Sequence, residues 1–336
     1  MAVLITGAGM IGSMTALRLS HSGEKAVLYD LAPQHDFLSS ILDYRTVKVV
    51  TGDILDVPRL IDTIQSEKID RIIHTAAVAT PVMRSSPFSA VQVNIGGTSA
   101  VLEAARLTGV KRVVLAGTTA VYEAVEKVPA KGFTEDYQSR SLSGRHRWLY
   151  PVTKHAAEQI GLVYAENYGV DFAALRLCGV FGWWKGKPPG AGSAMLMYAL
   201  VRDAAIGKPV VLDDPWILKM FSAGNLDLLY AKDAAKAMAL ACFVPELKQK
   251  VYNITGGRFL ALAEIIAAIR KVIPGASITI NSKAPQSPSG PVVISNPCDI
   301  SAARTELGYE PDFDIEDAVR DYSDWLKKFD KVWPAP

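Results

Sequence analysis

An apolar run, Ala2–Ile5, breaks into Gly7-Ala8-Gly9-Met10-Ile11-Gly12 and passes directly into a helix-period stretch from Met10 to Ser20. A GxGxxG turn set between strand and helix constrains a chain strongly. Its glycines permit a tight turn and close backbone approach to a pyrophosphate, and the helix N-terminus offers unpaired N–H groups to an anion. Such a turn demands that the chain continue as alternating strands and helices. Further strands are expected at Lys25–Tyr29, Lys48–Val50, Arg71–His74 and Arg112–Leu115, with helices at Val57–Ser66, Pro87–Leu107 and Tyr150–Tyr168. The strands read as continuous apolar runs, which suits an α/β fold with a doubly wound parallel sheet covered on both faces. Beyond about Gly182 the rhythm gives way to Pro/Gly-rich stretches at 186–192 and 283–291. These predict a smaller C-terminal lobe. The expected division is a large domain of residues 1–178, rejoined by 228–256, and a small lobe of 179–227 and 257–336.

Asp30 ends the second expected strand, 18 residues beyond Gly12. A carboxylate there accepts both ribose hydroxyls of NAD and repels the 2′-phosphate of NADP. Residues 31–36 contain no Lys or Arg to pair with that phosphate, so the expected cofactor is NAD. The competing reading is a glycine turn in some other α/β protein.

Composition excludes several alternatives. Thirty-six Lys+Arg against 34 Asp+Glu give a net charge of +2, too little for a broad positive field toward nucleic acid. No window of roughly 18 apolar residues predicts a membrane span. The apolar start lacks a basic flank or cleavage site, so cytoplasmic residence is expected. Cys178, Cys242 and Cys298 are far apart, without CxxC or Cys/His spacing. Neither a disulfide framework nor a metal site is expected.

Tyr150-Pro-Val-Thr-Lys154 places a phenol and an ammonium four residues apart on one helix face. The cation favours the phenolate, which can then exchange a proton with a substrate hydroxyl or carbonyl. Between this pair and the glycine turn, Gly117-Thr118-Thr119-Ala120-Val121-Tyr122 follows an expected strand.

With these motifs in this order, nearly the whole chain resembles the extended short-chain dehydrogenase/reductase family, the NAD-dependent epimerase/dehydratase group. Thr6 to Gly12 is similar to its TGxxGxxG, Gly52-Asp53-Ile54-Leu55-Asp56 to its acidic adenine contact, and His74-Thr75-Ala76-Ala77 to its cofactor-lining strand end. Asn94-Ile95-Gly96-Gly97-Thr98 resembles its NxxGT helix, Tyr230-Ala231-Lys232-Asp233 its YVDD turn, and Val251-Tyr252-Asn253-Ile254 its late VYNI strand. Asp299–Pro311 resembles its closing segment. The resemblance implies a Rossmann fold in which Tyr150 is the acid/base, Lys154 holds the nicotinamide ribose and lowers the tyrosine pKa, and Thr118 bonds the reacting oxygen. It implies NAD contacts from Gly7, Gly9, Met10, Ile11, Gly12, Asp30, Asp53 and Ile54. Further contacts would come from Thr75, Ala76, Ala77, Asn94, Ala116, Leu177, Tyr150 and Lys154. It also implies a homodimer through the long helices 87–107 and 150–168.

The sequence departs from the sugar-nucleotide members at two places. Their R-x-x-N-V-Y-G-P segment reads Arg176-Leu177-Cys178-Gly179-Val180-Phe181-Gly182-Trp183 here, so the diphosphate-contacting asparagine is Gly179. The stretch Met220–Leu229, where they carry a phosphate-binding arginine, has none. A diphosphate without cationic partners is costly to bury. Thr118 is followed by Thr119-Ala120 instead of Asp-Glu, which disfavours dehydration. Reversible oxidation of an alcohol remains, used once in a dehydrogenase or twice in an epimerase. A non-catalytic NAD-sensing protein is the third possibility, and the intact Tyr/Lys pair speaks against it.

Candidate contacts to a small-molecule substrate are Val78, Arg84, Thr119, Arg145, Arg147, Gly179 and Trp183. The arginine-rich segment 139–148 reads either as a clamp on an anionic substrate or as a solvated charged loop. Trp183 reads either as a stacking platform or as packing between lobes. His74, ending a strand, reads as structural, and Cys178 as a small apolar filler.

Overall fold

The strand and helix alternation is realised as one long parallel sheet, shown by a computed structural model. It describes residues 2–79, 83, 85–122, 132–137, 149–185, 193–213, 218, 226–281 and 298–329. In chain order the first strands are β1 (Ala2–Thr6), β2 (Lys25–Asp30), β3 (Val47–Thr51), β4 (Ile69–His74), β5 (Arg112–Thr118) and β6 (Phe172–Leu177). They are followed by β7 (Gly179–Phe181), β8 (Val210–Leu212), β9 (Leu226–Tyr230), β10 (Val251–Ile254), β11 (Phe259–Leu260) and β12 (Ile278–Ile280). The large sheet runs β3-β2-β1-β4-β5-β6-β10, all parallel. Its order reverses between β1 and β4, and the crevice outside the carboxyl ends of these strands is where a doubly wound sheet takes its ligand.

Two buried clusters cover its faces, as alternation along β1 requires. Val3 and Ile5 point into one, with Met14 and Leu19 of α1 (Met10–His21), and Ala2 and Leu4 into the other. Between them in sequence, α2 (His35–Ile41) follows β2, a helix the sequence reading does not contain. The opposite face carries α3 (Val57–Ser66), which starts where the Asp56 carboxylate accepts the Arg59 N–H at 3.0 Å. The single helix expected over 87–107 is interrupted: α4 (Pro87–Val91) passes through a π turn, Gln92–Gly96, into α5 (Gly97–Thr108). Beside α5 lies α6 (Leu149–Tyr168), which carries Tyr150 and Lys154.

The remaining helices are α7 (Ser193–Ala205), α8 (Ala231–Phe243), α9 (Leu262–Val272), α10 (Ser301–Leu307) and α11 (Ile315–Phe329). Small sheets β11-β9-β7 and β12-β8 flank the large one. Leu226–Tyr230 pairs within the three-stranded sheet, whereas α8 packs on α1 and β10 joins β6. Arg71 and Arg112 hold the C-terminus of α8 to the sheet. Arg71 Nε donates to the Cys242 carbonyl at 3.0 Å and Arg112 Nη1 to the Ala241 carbonyl at 3.1 Å, cations placed where helix carbonyls lack partners.

An aromatic cluster joins α2, the segment after β7 and α11. The Trp183 ring lies 4.8 Å from Phe37 of α2, 4.7 Å from Trp325 and 4.6 Å from Phe329 of α11. Among the described residues, no helix is long and apolar enough to cross a membrane.

Candidate active site

The glycine turn is shaped by close backbone approach. Gly7 has φ +88°, a region an L side chain rarely adopts, and a Cβ there would come within 2.6 Å of the Ala76 nitrogen. At Gly12 a Cβ would overlap the Gly7 carbonyl oxygen, whereas at Gly9 it would meet no protein atom within 4 Å. The first and third glycines thus close the turn on itself and on Thr75-Ala76. The second leaves open space at the N-terminus of α1, where a pyrophosphate fits. Met10 and Ile11 form the first turn behind it. Thr75 secures the neighbouring strand end, its Oγ1 donating to the Thr6 carbonyl at 2.8 Å, and Ala77 continues past it.

Asp30 lies against this turn. Its Oδ2 accepts the Ala8 N–H at 2.7 Å and its Oδ1 the Ala32 N–H at 2.8 Å, which fixes the carboxylate and leaves lone pairs for ribose hydroxyls. Asp53 is held likewise, Oδ1 accepting the Leu55 N–H at 2.9 Å, beside buried Ile54. Charged hydrogen bonds of this kind contribute about 1.5–3 kcal/mol, so Asp30→Ala should weaken NAD binding about tenfold or more. Calorimetric titration checks this, and an unchanged dissociation constant would remove Asp30 from the site.

Parallel register brings the reacting segments to the same edge. Thr6 pairs with His74, and Thr118 with Leu177, while Ala116 is buried in β5 below them. Thr118 is 8% exposed and its Oγ1 accepts the Ala120 N–H at 3.2 Å, which leaves its proton to donate. Tyr150 stands on the first turn of α6 and Lys154 one turn on. Lys154 is buried, and burial pushes its pKa down to about 8 although the Glu158 carboxylate opposes the shift.

The first turn of α6 is anchored by Asn94, which the π turn carries. Asn94 Nδ2 donates to Thr153 Oγ1 at 3.0 Å, Thr153 Oγ1 donates to the Tyr150 carbonyl at 2.9 Å, and Asn94 Oδ1 accepts the Val78 N–H at 2.7 Å. Asn94 therefore ties the exit of β4 to the Tyr150 helix. Asn94 is buried, and these contacts use its amide to brace the first turn of α6.

His74 extends the chain. Thr98 Oγ1 donates its proton to the Asn94 carbonyl at 2.8 Å, so at 3.0 Å it can only accept from His74 Nε2. Nδ1 is left to accept from the Thr6 hydroxyl at 2.6 Å. The ring is the neutral Nε2–H tautomer. Burial, helped by the nearby Lys154 charge, pushes its pKa down to about 3. An unfolded histidine titrates near ~6.5. Between those values the unfolded chain binds the proton and the native one does not, so stability falls as pH falls, by about 1.4 kcal/mol per unit at most. His74→Gln removes that dependence. Its stability deficit at pH 7 should shrink as pH falls below about 6, followed by urea unfolding; a constant deficit would contradict the buried neutral ring.

Of the expected substrate contacts, Val78 and Thr119 are half-buried, Thr119 directly following Thr118. Gly179 opens β7, and a Cβ on it would overlap Ser193 Oγ. Trp183 is 4% exposed and packs inside the aromatic cluster. Cys178 donates its thiol to Asp227 Oδ1 at 3.5 Å, and burial pushes Asp227 up to about 7. Arg84, Arg145 and Arg147 lie outside the described residues. Among the described residues, no group of three or more His, Cys, Asp or Glu could hold a metal ion. Sequence reasoning missed Glu158, although it sits four residues past Lys154, and it missed Ser193 and Asp227, whose roles arise only from long-range packing.

Comparison with known proteins accords with this geometry. A model of the NAD dependent epimerase/dehydratase family matches residues 3–255. The chain is similar to UDP-glucose 4-epimerase of Lacticaseibacillus casei, 28% identical over 331 residues that cover 94% of this chain and 93% of that protein. It is similar to mitochondrial L-threonine 3-dehydrogenase of Sus scrofa, 28% identical over 327 residues, covering 94% and 80%. Among solved structures, UDP-glucose-4-epimerase from Stenotrophomonas maltophila, with bound NAD and formylated UDP-arabinopyranose, superposes with a TM-score of 0.80 at 25% identity, covering 99% of each chain.

Proposed function

The chain belongs to the NAD dependent epimerase/dehydratase family, and from that membership we propose that it interconverts a secondary alcohol and a ketone on a hydroxylated, non-nucleotide small molecule, sugar-like or carrying a carboxylate. NAD is its cofactor and supplies, when bound, the hydride acceptor and donor at the nicotinamide. Tyr150 Oη takes the hydroxyl proton as the hydride leaves the same carbon, and returns it in the reverse direction. The Lys154 ammonium stabilises the phenolate, and Thr118 Oγ1 donates to the substrate oxygen that becomes the carbonyl. Asn94, through Thr153, holds the turn on which Tyr150 stands.

The observation that carries the substrate class is the packing at Gly179. Ser193 Oγ fills the space a side chain there would take, so no amide can project from this position toward a diphosphate. Leu226, buried at the start of β9, adds apolar surface where the sugar-nucleotide members carry their arginine. The second reading is a UDP-sugar 4-epimerase, favoured by similarity to such enzymes along almost the whole chain. A panel of free sugars, aldonates, uronates, hydroxy acids including L-threonine, and UDP-sugars, read at the NADH absorbance, separates them. Net reduction of NAD by a non-nucleotide alcohol supports the first; UDP-sugar interconversion without net reduction overturns it.

Two copies are expected to pair through α5 and α6. Val152 and Val163 stand 49% and 46% exposed, eleven residues apart on one face of α6, and Phe88 of α4 is 74% exposed. Val163→Asp should give a monomer by light scattering. Three free cysteines, two of them buried, fit residence in the reducing cytoplasm.

A further inference from the structure

Arg176 lies in β6, 6% exposed, and the reaction as described above does not use it. Its guanidinium reaches the side chains of Glu158 and Tyr122, and Nη1 also donates to the Glu135 carbonyl at 3.0 Å. Nε and Nη2 donate to Glu158 Oε2 and Oε1 at 2.9 and 2.7 Å, and Nη1 donates to the Tyr122 hydroxyl. Glu158 stands on α6, one turn past Lys154. Tyr122 closes the short helical turn Thr119–Tyr122 that begins directly after Thr118. The guanidinium carbon sits 5.0 Å from the centroid of the Tyr122 ring, whose hydroxyl donates onward to Asn253 Oδ1 at 3.0 Å. Asn253 in turn donates through Nδ2 to the Phe133 carbonyl at 2.9 Å.

We propose that Arg176 is a positioning residue: one planar group clamps the helix that carries Tyr150 and Lys154 to the turn that follows Thr118, and holds Glu158 as the counter-charge of Lys154. The inference rests on the reading of Thr118, Tyr150 and Lys154 as the proton machinery. The geometry favours arginine specifically. Three donors in a fixed plane set the angle between two acceptors, which an ammonium on a flexible stem cannot do. A buried ion pair is weak evidence for stability, so a clamp between two reacting segments accounts better for its place.

Several charged or titratable groups surround Lys154. Glu158, Tyr150 and His155 share its helix, with His155 Nδ1 3.9 Å from Glu158 Oε1. His74 faces it from β4 in the neutral form, and Arg176 acts on it from β6 by way of Glu158. The Glu158 carboxylate raises the Lys154 pKa against its burial.

The test needs NAD but no substrate. Lys154 is titrated in the NAD-bound protein by 15N-lysine NMR, assigned by loss of its signal in Lys154→Met, and amide hydrogen exchange is followed at residues 119–122. The wild-type midpoint should lie below the ordinary lysine value, the direction burial gives it. Glu158→Gln should lower it by about one unit or more. Arg176→Lys keeps the charge without the fork, so the midpoint should move by less than about half a unit while exchange at 119–122 speeds about tenfold or more. Tyr122→Phe should speed the same amides. Tyr309→Phe, which loses a buried hydrogen bond to the Thr255 carbonyl elsewhere, should move neither readout. An unmoved midpoint in Glu158→Gln, or exchange in Arg176→Lys that is unchanged or matched by Tyr309→Phe, would overturn the clamp. If these shifts occur while no alcohol in the panel is turned over, the clamp stands and the proposed reaction falls; turnover without the shifts gives the reverse.

Discussion

Turnover in Tyr150→Phe should fall by about 10²–10⁴-fold, with NAD affinity and melting temperature close to wild type. General acid–base catalysis by a positioned side chain contributes on that scale, and the substitution removes one oxygen atom without disturbing packing. Tyr150 occupies the first turn of α6, where Thr153 Oγ1 bonds its carbonyl, so the phenylalanine ring should occupy the same place with no proton to carry. Lys154 would still hold its charge one turn away, which is why cofactor binding should survive. The measurement is kcat with the alcohol that the substrate panel identifies, beside calorimetric NAD binding. Turnover within tenfold of wild type would remove Tyr150 as the proton carrier.

Trp183→Ala should cost about 3–5 kcal/mol of folding stability, the range for deleting a large buried aromatic. The expectation follows from what the indole touches. Phe37 belongs to the Rossmann side, while Trp325 and Phe329 belong to the C-terminal helix, and all three rings lie within 5 Å of it by centroid. Emptying that position leaves a cavity where the three rings meet. Urea unfolding gives the value directly. A loss below about 1 kcal/mol would mean that the cluster is not part of the cooperative core.

Local patterns were legible in the chain. The glycine turn, the strands expected from Ala2, Lys25, Lys48, Arg71 and Arg112, and the Tyr150/Lys154 helix all announce themselves through period, spacing or turn chemistry, to within a residue or two at each strand start. What could not be read depends on partners far apart in sequence. Nothing near Asn94 says that its helix opens into a π turn, because the reason lies at Val78 and Thr153. Trp183 reads as either platform or packing until Phe37 and Trp325 are known to surround it. The helix at His35–Ile41 was hidden because Ala-Pro-Gln-His-Asp reads as a loop; its two buried residues, Phe37 and Leu38, are too few to set a period. Asp227 and Ser193 follow the same rule, since each acquires its role from a strand or helix that packs on it from elsewhere.

The strand order also bears on how the polypeptide can be made or divided. The last strand of the large sheet, Val251–Ile254, pairs with Phe172–Leu177 only after the intervening segment has been synthesised. The helix Ala231–Phe243, which covers α1, arrives equally late. A fragment ending near Cys178 would leave β6 as an open, apolar edge and expose the part of the sheet that Ala231–Phe243 covers, the combination that invites edge-to-edge association. On the ribosome the nascent sheet must therefore wait, unfinished, for roughly the last third of the chain. Separate expression of the N-terminal half should yield aggregated material rather than a small NAD-binding module.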